Sequence, residues 1–291
     1  MGAFELIFSG AAKAKRPGIK LLASLVRIAA LAYVGLTLLL FFTQARYIYQ
    51  TEVGRDITST PQDANLAYEE VWLDAAPGVT LHAWFLPHPA ARGTVLFFHG
   101  NAGSIARLDW LRLFHDLGYA TFIVDYRGFG RSTGQPDEQG TYDDASAAWR
   151  YLTTTRGIAA HDVVIVGESL GGAVAAELAT RVSPRALVLQ STFTSIPDLA
   201  ADIYPWLPVR WISRFSYDTG SRIAQVSAPV LVAHSPDDDL IPFRHGQTLH
   251  ARANEPKRFI ALAGGHNEGF LFARPEWSLA LDAFLRSTER H

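Results

Sequence analysis

Apolar and polar residues divide the chain near residue 20, where a polar, basic stretch gives way to an apolar one. Between residues 21 and 43 the only charged side chain is Arg27, which lies near the start of the segment. A helix of this length rises by roughly 34 Å, enough to span the hydrocarbon core of a bilayer. Its apolar residues surround the whole helix, which is typical of a membrane span. The pattern predicts a transmembrane signal anchor over 21–43 that follows a cytoplasmic tail over 1–20.

The basic residues around this segment predict its orientation. Four precede the segment and two follow it within twenty residues: Lys13, Lys15, Arg16 and Lys20, then Arg46 and Arg55. By the positive-inside rule, the rest of the chain lies on the periplasmic or exoplasmic side of a single-pass membrane protein. Lysine is rare among the basic residues, a bias associated with GC-rich bacterial genomes, so we expect a bacterial inner membrane. A cleaved signal peptide is the alternative, with a weak cleavage site at 43–45.

Beyond the anchor, a polar stretch over 44–64 predicts a linker, and short β-rich runs then alternate with helical patterns over 65–291. Continuous apolar runs such as 163–166 suit strands that are buried on both faces of a parallel sheet. The alternation predicts an α/β fold, here a mostly parallel eight-stranded sheet with helices on both faces. The first two strands, joined by a short turn, predict an antiparallel hairpin at one edge. The predicted strands are 70–73, 80–86, 94–99, 121–125, 163–167, 186–190, 230–234 and 258–261, and the predicted helices are 106–117, 142–155, 170–182, 244–253 and 277–286.

One interval is too long and too apolar to be a bare connection. About forty residues separate the strand that ends near residue 190 from the strand that begins at residue 230, and they include Trp206 and Trp211. We predict a small cap over about 194–224, in which these two tryptophans are candidates to line an acyl site.

Composition and charge exclude several kinds of protein. The net charge is −2, which offers no basic surface for nucleic acid. The chain contains no cysteine, which excludes a disulfide scaffold, a thiolate zinc site and a cysteine nucleophile. The glycine-rich run at 128–134 carries Thr133 where a dinucleotide fingerprint needs its third glycine, and the P-loop and zinc-protease motifs are absent from the sequence. We therefore expect no cofactor and no metal.

The candidate nucleophile is Ser169, in the sequence GESLGG at 167–172. This string fits the G-x-S-x-G pattern, and it lies between a buried strand and a helix. So tight a turn strains the serine backbone, and side chains in place of Gly167 and Gly171 would collide with the surrounding chain. The helix amino terminus beyond the turn favours negative charge. A glycine-rich turn with an idle serine is the alternative.

A serine hydroxyl needs a base, and the base needs a third group that orients it. Of the downstream histidines, His266 lies in a glycine-rich loop after the last predicted strand and is the predicted base. His245 and His250 lie in a predicted helix, where we expect them at the surface.

The acid is expected just past the strand over 230–234, because the order along the chain is serine, acid, histidine. Asp237, Asp238 and Asp239 lie together there, and spacing alone does not choose among them.

The oxyanion of an acyl-transfer reaction needs two preorganised donors, usually backbone N–H groups. One is expected from Leu170, directly after the nucleophile. The other is expected from the glycine-rich loop after the strand over 94–99, where the amide of Asn101 is favoured and that of Ala102 is the second choice.

These features together resemble the α/β-hydrolase superfamily, and more narrowly its small membrane-anchored serine hydrolases, whose eukaryotic relatives include protein depalmitoylases. The resemblance covers about residues 44–277. It rests on QARYIY at 44–49, HGNAG at 99–103, DYRGFG at 125–130, GESLGG at 167–172 and GHN at 265–267. The usual acid block of such enzymes fits HSPDDDLIP at 234–242 with Asp238 as the acid and Asp237 in reserve, and Ser235 replaces the usual glycine.

The resemblance implies acyl transfer without a cofactor. Ser169 would attack a carbonyl while His266 takes its proton, Asp238 would orient the histidine, and the amides of Asn101 and Leu170 would bind the oxyanion. We expect a carboxylesterase or thioesterase acting on an acyl substrate, lipid-like and close to the membrane. The alternatives are a serine peptidase of the same fold and a catalytically silent, membrane-tethered binding module.

Overall fold

The computed structural model describes residues 17–289 and divides the chain into two units, 1–43 and 44–291. The expected tail over 1–20 lies outside the described residues except for its last four. Helix α1 (Pro17–Ile48) runs through the first unit and contributes its last residues to the second. Among the described residues, one helix is long and apolar enough to cross a membrane, over Lys20–Ile48. Apolar side chains cover its surface, and Leu31 is 71% exposed.

The second unit contains one eight-stranded sheet with the strand order β1-β2-β4-β3-β5-β6-β7-β8. Strands β3 to β8 are parallel to one another, whereas β1 and β2 form an antiparallel hairpin at one edge. The predicted α/β class and the mostly parallel eight-stranded sheet are confirmed. The strands are β1 (Glu69–Ala76), β2 (Val79–Leu86), β3 (Thr94–Phe98), β4 (Ala120–Val124), β5 (Val163–Glu168), β6 (Ala186–Gln190), β7 (Val230–His234) and β8 (Lys257–Ala261).

Helices cover both faces of this sheet because the central strands are apolar on both sides. Along β3, Leu96 and Phe98 belong to one hydrophobic cluster, and Val95 and Phe97 belong to the other. The helices after α1 are α2 (Leu108–Asp116), α3 (Glu138–Arg150), α4 (Leu170–Arg181), α5 (Ile196–Ile203), α6 (Val209–Ile212), α7 (Thr219–Arg222), α8 (Arg244–Arg252) and α9 (Pro275–Ser287). The first cluster includes residues of α3 and α4, and the second includes residues of α2 and α9.

Short helical turns complete the second unit. Three 3₁₀ turns lie at Pro61–Ala64, Ala160–Asp162 and Ile223–Gln225, and a π-helical turn at Tyr151–Thr155 extends α3. Helices α5, α6 and α7 lie within the interval that the sequence predicts as a cap.

Residues 44–64, which their polarity predicts to be a linker, belong to the second unit, and part of this stretch packs against the rest of it. The ring of Tyr49 is 5% exposed, and its hydroxyl lies 2.8 Å from that of Tyr217. The backbone N–H of Gln50 donates to the carbonyl of Asn101 (2.9 Å), and Val53 accepts from the N–H of Gly103 (2.8 Å). We call residues 44–53 the strap. Two of its backbone groups thus have partners far along the chain, which local composition does not reveal.

The packing of the strap predicts that alanine variants of two tyrosines, two residues apart, differ in their free energy of unfolding. Replacing Tyr49 by alanine should lower the free energy of unfolding by about 3 kcal/mol, because a buried aromatic ring and its packing are lost. Replacing Tyr47, which is 59% exposed, should change it by less than about 0.5 kcal/mol. Thermal denaturation of the full chain in detergent micelles, followed by near-ultraviolet circular dichroism, measures both. Equal small effects would mean that the segment is only loosely attached.

Candidate active site

The sharp turn between β5 and α4 holds Ser169 in an unusual backbone conformation, with φ 53° and ψ −118°. Side chains rarely adopt a positive φ, so the turn stores strain at this serine. A Cβ on Gly171 would lie 2.1 Å from the carbonyl oxygen of Phe98, and one on Gly167 would lie 2.3 Å from that of Gly171. The flanking glycines are therefore required by close backbone approach. The N–H of Ser169 donates to the carbonyl of Gln190 (2.9 Å), at the end of β6.

The structure brings Ser169, Asp238 and His266 together at the carboxyl ends of the parallel strands. Nε2 of His266 lies 3.2 Å from Oγ of Ser169, and Nδ1 lies 2.9 Å from Oδ2 of Asp238. All three side chains are buried. They come from the turn after β5, the loop after β7 and the loop after β8, so their contact depends on the strand order.

Among the three consecutive aspartates, only Asp238 contacts the ring of His266. Its other oxygen, Oδ1, accepts the backbone N–H groups of Leu240 (3.0 Å) and Ile241 (2.7 Å). Burial alone would raise the pKa of Asp238, but hydrogen bonds with His234 and His266 outweigh it and hold that pKa well below its ordinary value. The carboxylate therefore stays ionised while buried.

Asp239 and His234 support this arrangement in ways that the sequence did not indicate. Oδ1 of Asp239 accepts the backbone N–H of His266 (2.8 Å), which joins the acid loop to the histidine loop. Nε2 of His234 lies 2.9 Å from the carbonyl oxygen of Ile241 and 3.3 Å from Oδ2 of Asp238. Asp237 is exposed on the same loop. The only sequence signal for Asp239 was its place in the acidic run.

The loop after β3 passes directly beside Ser169. A Cβ on Gly100 would lie 3.6 Å from Cβ of Ser169. Asn101 and Ala102 follow in this loop, and the strap pairs with both of its sides through the backbone bonds of Gln50 and Val53. Leu170 is buried in the first turn of α4, where backbone N–H groups have no partner within the helix. The strap is a part of the site that sequence reasoning missed.

The motif at 125–130 lies beneath this loop and supports it. Nδ1 of His99 donates to the carbonyl of Gly100 (2.8 Å), and the hydroxyl of Tyr126 donates to the carbonyl of His99 (3.0 Å). Oδ1 of Asp125 accepts the N–H of Ile105 (2.8 Å). Burial alone would raise the pKa of Asp125, but the neighbouring imidazoles of His82 and His99 more than offset it and the pKa is lowered. The loop is therefore held at both ends.

Glu168, the residue before Ser169, connects the turn to the chain beyond the same loop. Its carboxylate forms an ion pair with Arg107 and accepts the indole N–H of Trp110 (2.8 Å). The side chain is almost fully buried, so the pair is shielded from water. This variable position of the G-x-S-x-G pattern thus has a positioning contact that the pattern does not specify.

The expectation that His245 lies at the surface is wrong. It is buried where α8 packs beneath the cap, with Nε2 2.8 Å from a carboxylate oxygen of Asp202 in α5. Nδ1 accepts the N–H of Thr194 (3.1 Å). Burial lowers the pKa of His245, and the hydrogen bond with Asp202 opposes that shift only in part. His250 is half-buried against the ring of Phe259.

Backbone strain at the turn predicts an ordering of two inactive variants. Ser169→Gly should be more stable than Ser169→Ala by about 1 kcal/mol. Glycine relieves roughly 1–3 kcal/mol of strain and costs about 0.5–1 kcal/mol of chain entropy. Because both variants lack the hydroxyl, their comparison isolates the backbone. Thermal denaturation of both in the same detergent measures the difference, and a Ser169→Ala variant of equal or greater stability would show that the turn is relaxed.

Comparisons with known proteins agree with this fold. Residues 89–220 match the Hydrolase_4 family, described as "Serine aminopeptidase, S33". The chain is 37% identical over 267 residues to an uncharacterised protein of Mycobacterium tuberculosis, covering 90% of this chain and 92% of that one. It is also 37% identical over 242 residues to the alpha/beta hydrolase domain-containing protein WAV2 of Arabidopsis thaliana, covering 75% of this chain and 78% of that one.

Two solved structures extend the likeness in fold. The esterase Pf2001 of Pyrococcus furiosus has a TM-score of 0.67 at 18% identity, over 80% of this chain and 96% of that chain. An alpha-beta hydrolase from Vibrio vulnificus has a TM-score of 0.69 at 20% identity, over 84% and 92%. The sheet order, the turn at Ser169 and the long match to WAV2 lead to one conclusion: the chain belongs to the α/β-hydrolase superfamily.

Proposed function

We propose that this protein is a membrane-anchored serine hydrolase that cleaves carboxylic ester or thioester bonds through an acyl-enzyme. The contact between Oγ of Ser169 and Nε2 of His266, on a turn that isolates the hydroxyl at the sheet edge, carries this proposal. A serine idle in a glycine-rich turn would not need an imidazole at hydrogen-bond distance that is itself bonded to an ionised, buried carboxylate.

In the proposed mechanism, Asp238 sets the tautomer of His266. Because Nδ1–H donates to the carboxylate, Nε2 carries the lone pair that accepts the proton of the Ser169 hydroxyl. The serine oxygen attacks the substrate carbonyl, and Asp238 stabilises the imidazolium that forms. The histidine then returns the proton to the departing alcohol or thiol. Water attacks the acyl-enzyme by the same route and releases the acid and the free serine.

The negative charge that develops on the substrate oxygen needs donors that are already in place. We assign this role to the backbone N–H groups of Asn101 and Leu170. The loop that carries Asn101 is held by His99, Asp125 and the strap, which favours this assignment. A donor that had to reorganise during the reaction would stabilise the oxyanion less.

The apolar helix supports the membrane part of the proposal. We place a span at 21–43 and the hydrolase domain at 65–291 with its cap, joined by the packed segment 44–64. The excess of basic residues before the span favours the exoplasmic or periplasmic side for the hydrolase domain.

Labelling with a fluorescent fluorophosphonate tests the proposed catalytic serine. The full chain in detergent should label, whereas Ser169→Ala and His266→Ala should not. Asp238→Asn should label more slowly by about 10⁴-fold, because its histidine loses the required tautomer. Asp237→Asn is the matched control and should label at nearly the normal rate. Absence of label on the folded wild type would favour the silent binding module. Slow labelling of Asp237→Asn with normal labelling of Asp238→Asn would mean that Asp237, and not Asp238, is the acid of the triad.

A substrate panel distinguishes the ester or thioester hydrolase from the serine peptidase that the family description suggests. We expect kcat/KM for p-nitrophenyl esters and acyl thioesters to exceed that for aminoacyl p-nitroanilides by roughly 100-fold or more. Each rate is measured against Ser169→Ala to subtract background hydrolysis. Faster cleavage of the anilides would assign the chain to the peptidases.

A further inference from the structure

We propose that the cap carries a second membrane-binding surface, which contacts the lipid bilayer beside the anchor. We call it the aromatic face, formed by Ile203, Tyr204, Trp206 and Trp211. The proposal rests on the membrane anchor of the proposed function. It gives the cap a role different from the acyl-site lining that the sequence suggested for its tryptophans.

The aromatic face points away from the protein interior. Trp211 is 90% exposed and Trp206 is 55% exposed, and both are among the largest apolar side chains of the domain. The neighbouring Leu207 and Val209 are buried, so the cap already has its own packed interior. A tryptophan in α6 that faces outward is therefore not needed to hold the cap together. The four exposed side chains fall within residues 203–211. Exposed apolar patches mark contact surfaces, and tryptophan in particular is enriched where a bilayer meets water.

A direct chain of contacts joins the segment after Trp211 to Gln44. Gln44 is the first residue after the span, and its side-chain amide holds the segment that follows Trp211. Nε2 donates to the carbonyl of Ile212 (2.8 Å), and Oε1 accepts the N–H of Arg214 (2.8 Å). Whatever tilt the span takes, Trp211 is therefore one residue from a peptide bonded to Gln44. The interfacial layer beyond the hydrocarbon core is several ångströms thick on each side, and the proposal puts position 211 in that layer.

A second contact makes this attachment rigid. The ring of Tyr49 packs edge-to-face against Phe215 (5.6 Å between centroids), and its hydroxyl meets that of Tyr217. The strap is therefore bonded to the end of the cap at both Gln44 and Tyr49. A cap that swung freely could carry its tryptophans away from the bilayer, but two attachments five residues apart oppose that motion.

The residues around the aromatic face favour lipid over a protein partner. Arg46, the third residue after the proposed span, and Arg214, in the cap, are both exposed. Arginine beside tryptophan suits an interface in which anionic headgroups lie over acyl chains. The cap also leaves the sheet at the end of β6, whose last carbonyl is bonded to Ser169. Contact at the aromatic face would thus hold the nucleophile's edge of the sheet towards the membrane surface.

The cysteine-free sequence allows a direct test with single-cysteine variants. Trp211→Cys reports on the aromatic face. Trp72→Cys, on the exposed edge strand β1, is the matched aqueous control, and Leu31→Cys reports on the span. Each full-length variant carries a nitroxide label in nanodiscs of phosphatidylcholine and phosphatidylglycerol. Collision rates with oxygen, which concentrates in lipid, and with a water-soluble nickel chelate give the depth, and near-ultraviolet circular dichroism confirms that each variant is folded.

We expect the ratio of oxygen to nickel collisions at position 211 to rise above that at position 72 and to stay below that at position 31. Equal ratios at positions 211 and 72, with position 31 inside the bilayer, would overturn the aromatic-face proposal and leave the anchor standing. A water-accessible label at position 31 would overturn the anchor and the proposal with it. A label at position 211 protected from both reagents would mean that a protein surface, such as a second copy of the chain, covers the face.

Discussion

The close approach of α4 to the end of β3 is the constraint on which the site depends. The carbonyl oxygens of Phe98 and His99 lie where a side chain of residue 171 would be. With glycine there, the first turn of the helix descends onto the strand, and Ser169 is left at the sheet edge. The same contact brings the loop after β3 over the serine. One missing side chain thus sets the position of both the proposed nucleophile and the proposed oxyanion donors.

Two buried carboxylates hold the loops around Ser169 in place. Each of them lies between two imidazoles. Asp125 lies between His82 and His99, and Asp238 lies between His234 and His266. Burial opposes the charge of each carboxylate, and the histidines favour it, so both pKa values are lowered. Asp238 also accepts two backbone N–H groups of its own loop, and Asp125 accepts one from the loop after β3. An ionised, desolvated carboxylate is a strong acceptor, which is how flexible loops gain a defined shape here.

The sequence predicted most of the sheet, because its central strands are continuous apolar runs whose burial does not depend on detail. It located α3 less well. That helix begins at Glu138 instead of residue 142, since the carboxylate of Asp137 caps it through the N–H of Gly140 in a polar stretch. The local sequence pattern could not predict contacts between residues that are distant along the chain. Tyr49 meets Tyr217, and His245 meets Thr194 and Asp202, only once the chain has folded.

The candidate site was predicted to a similar extent. Glycine spacing selected Ser169, and the glycine-rich loop selected His266. Spacing could not separate Asp237, Asp238 and Asp239, and resemblance favoured the middle one. The turn after β7 decides which of the three carboxylates points inward. A run of three identical residues does not reveal that geometry. The catalytic roles of all these residues stay predictions.

The strap has a practical consequence for any shortened form of this chain that lacks the apolar helix. Its backbone bonds reach the loop beside Ser169, and its side chains hold the cap, so both depend on residues 44–53. A truncation placed in the polar stretch before Pro61 would remove these contacts together with the helix. A shortened form that keeps them therefore has to begin at or before Gln44.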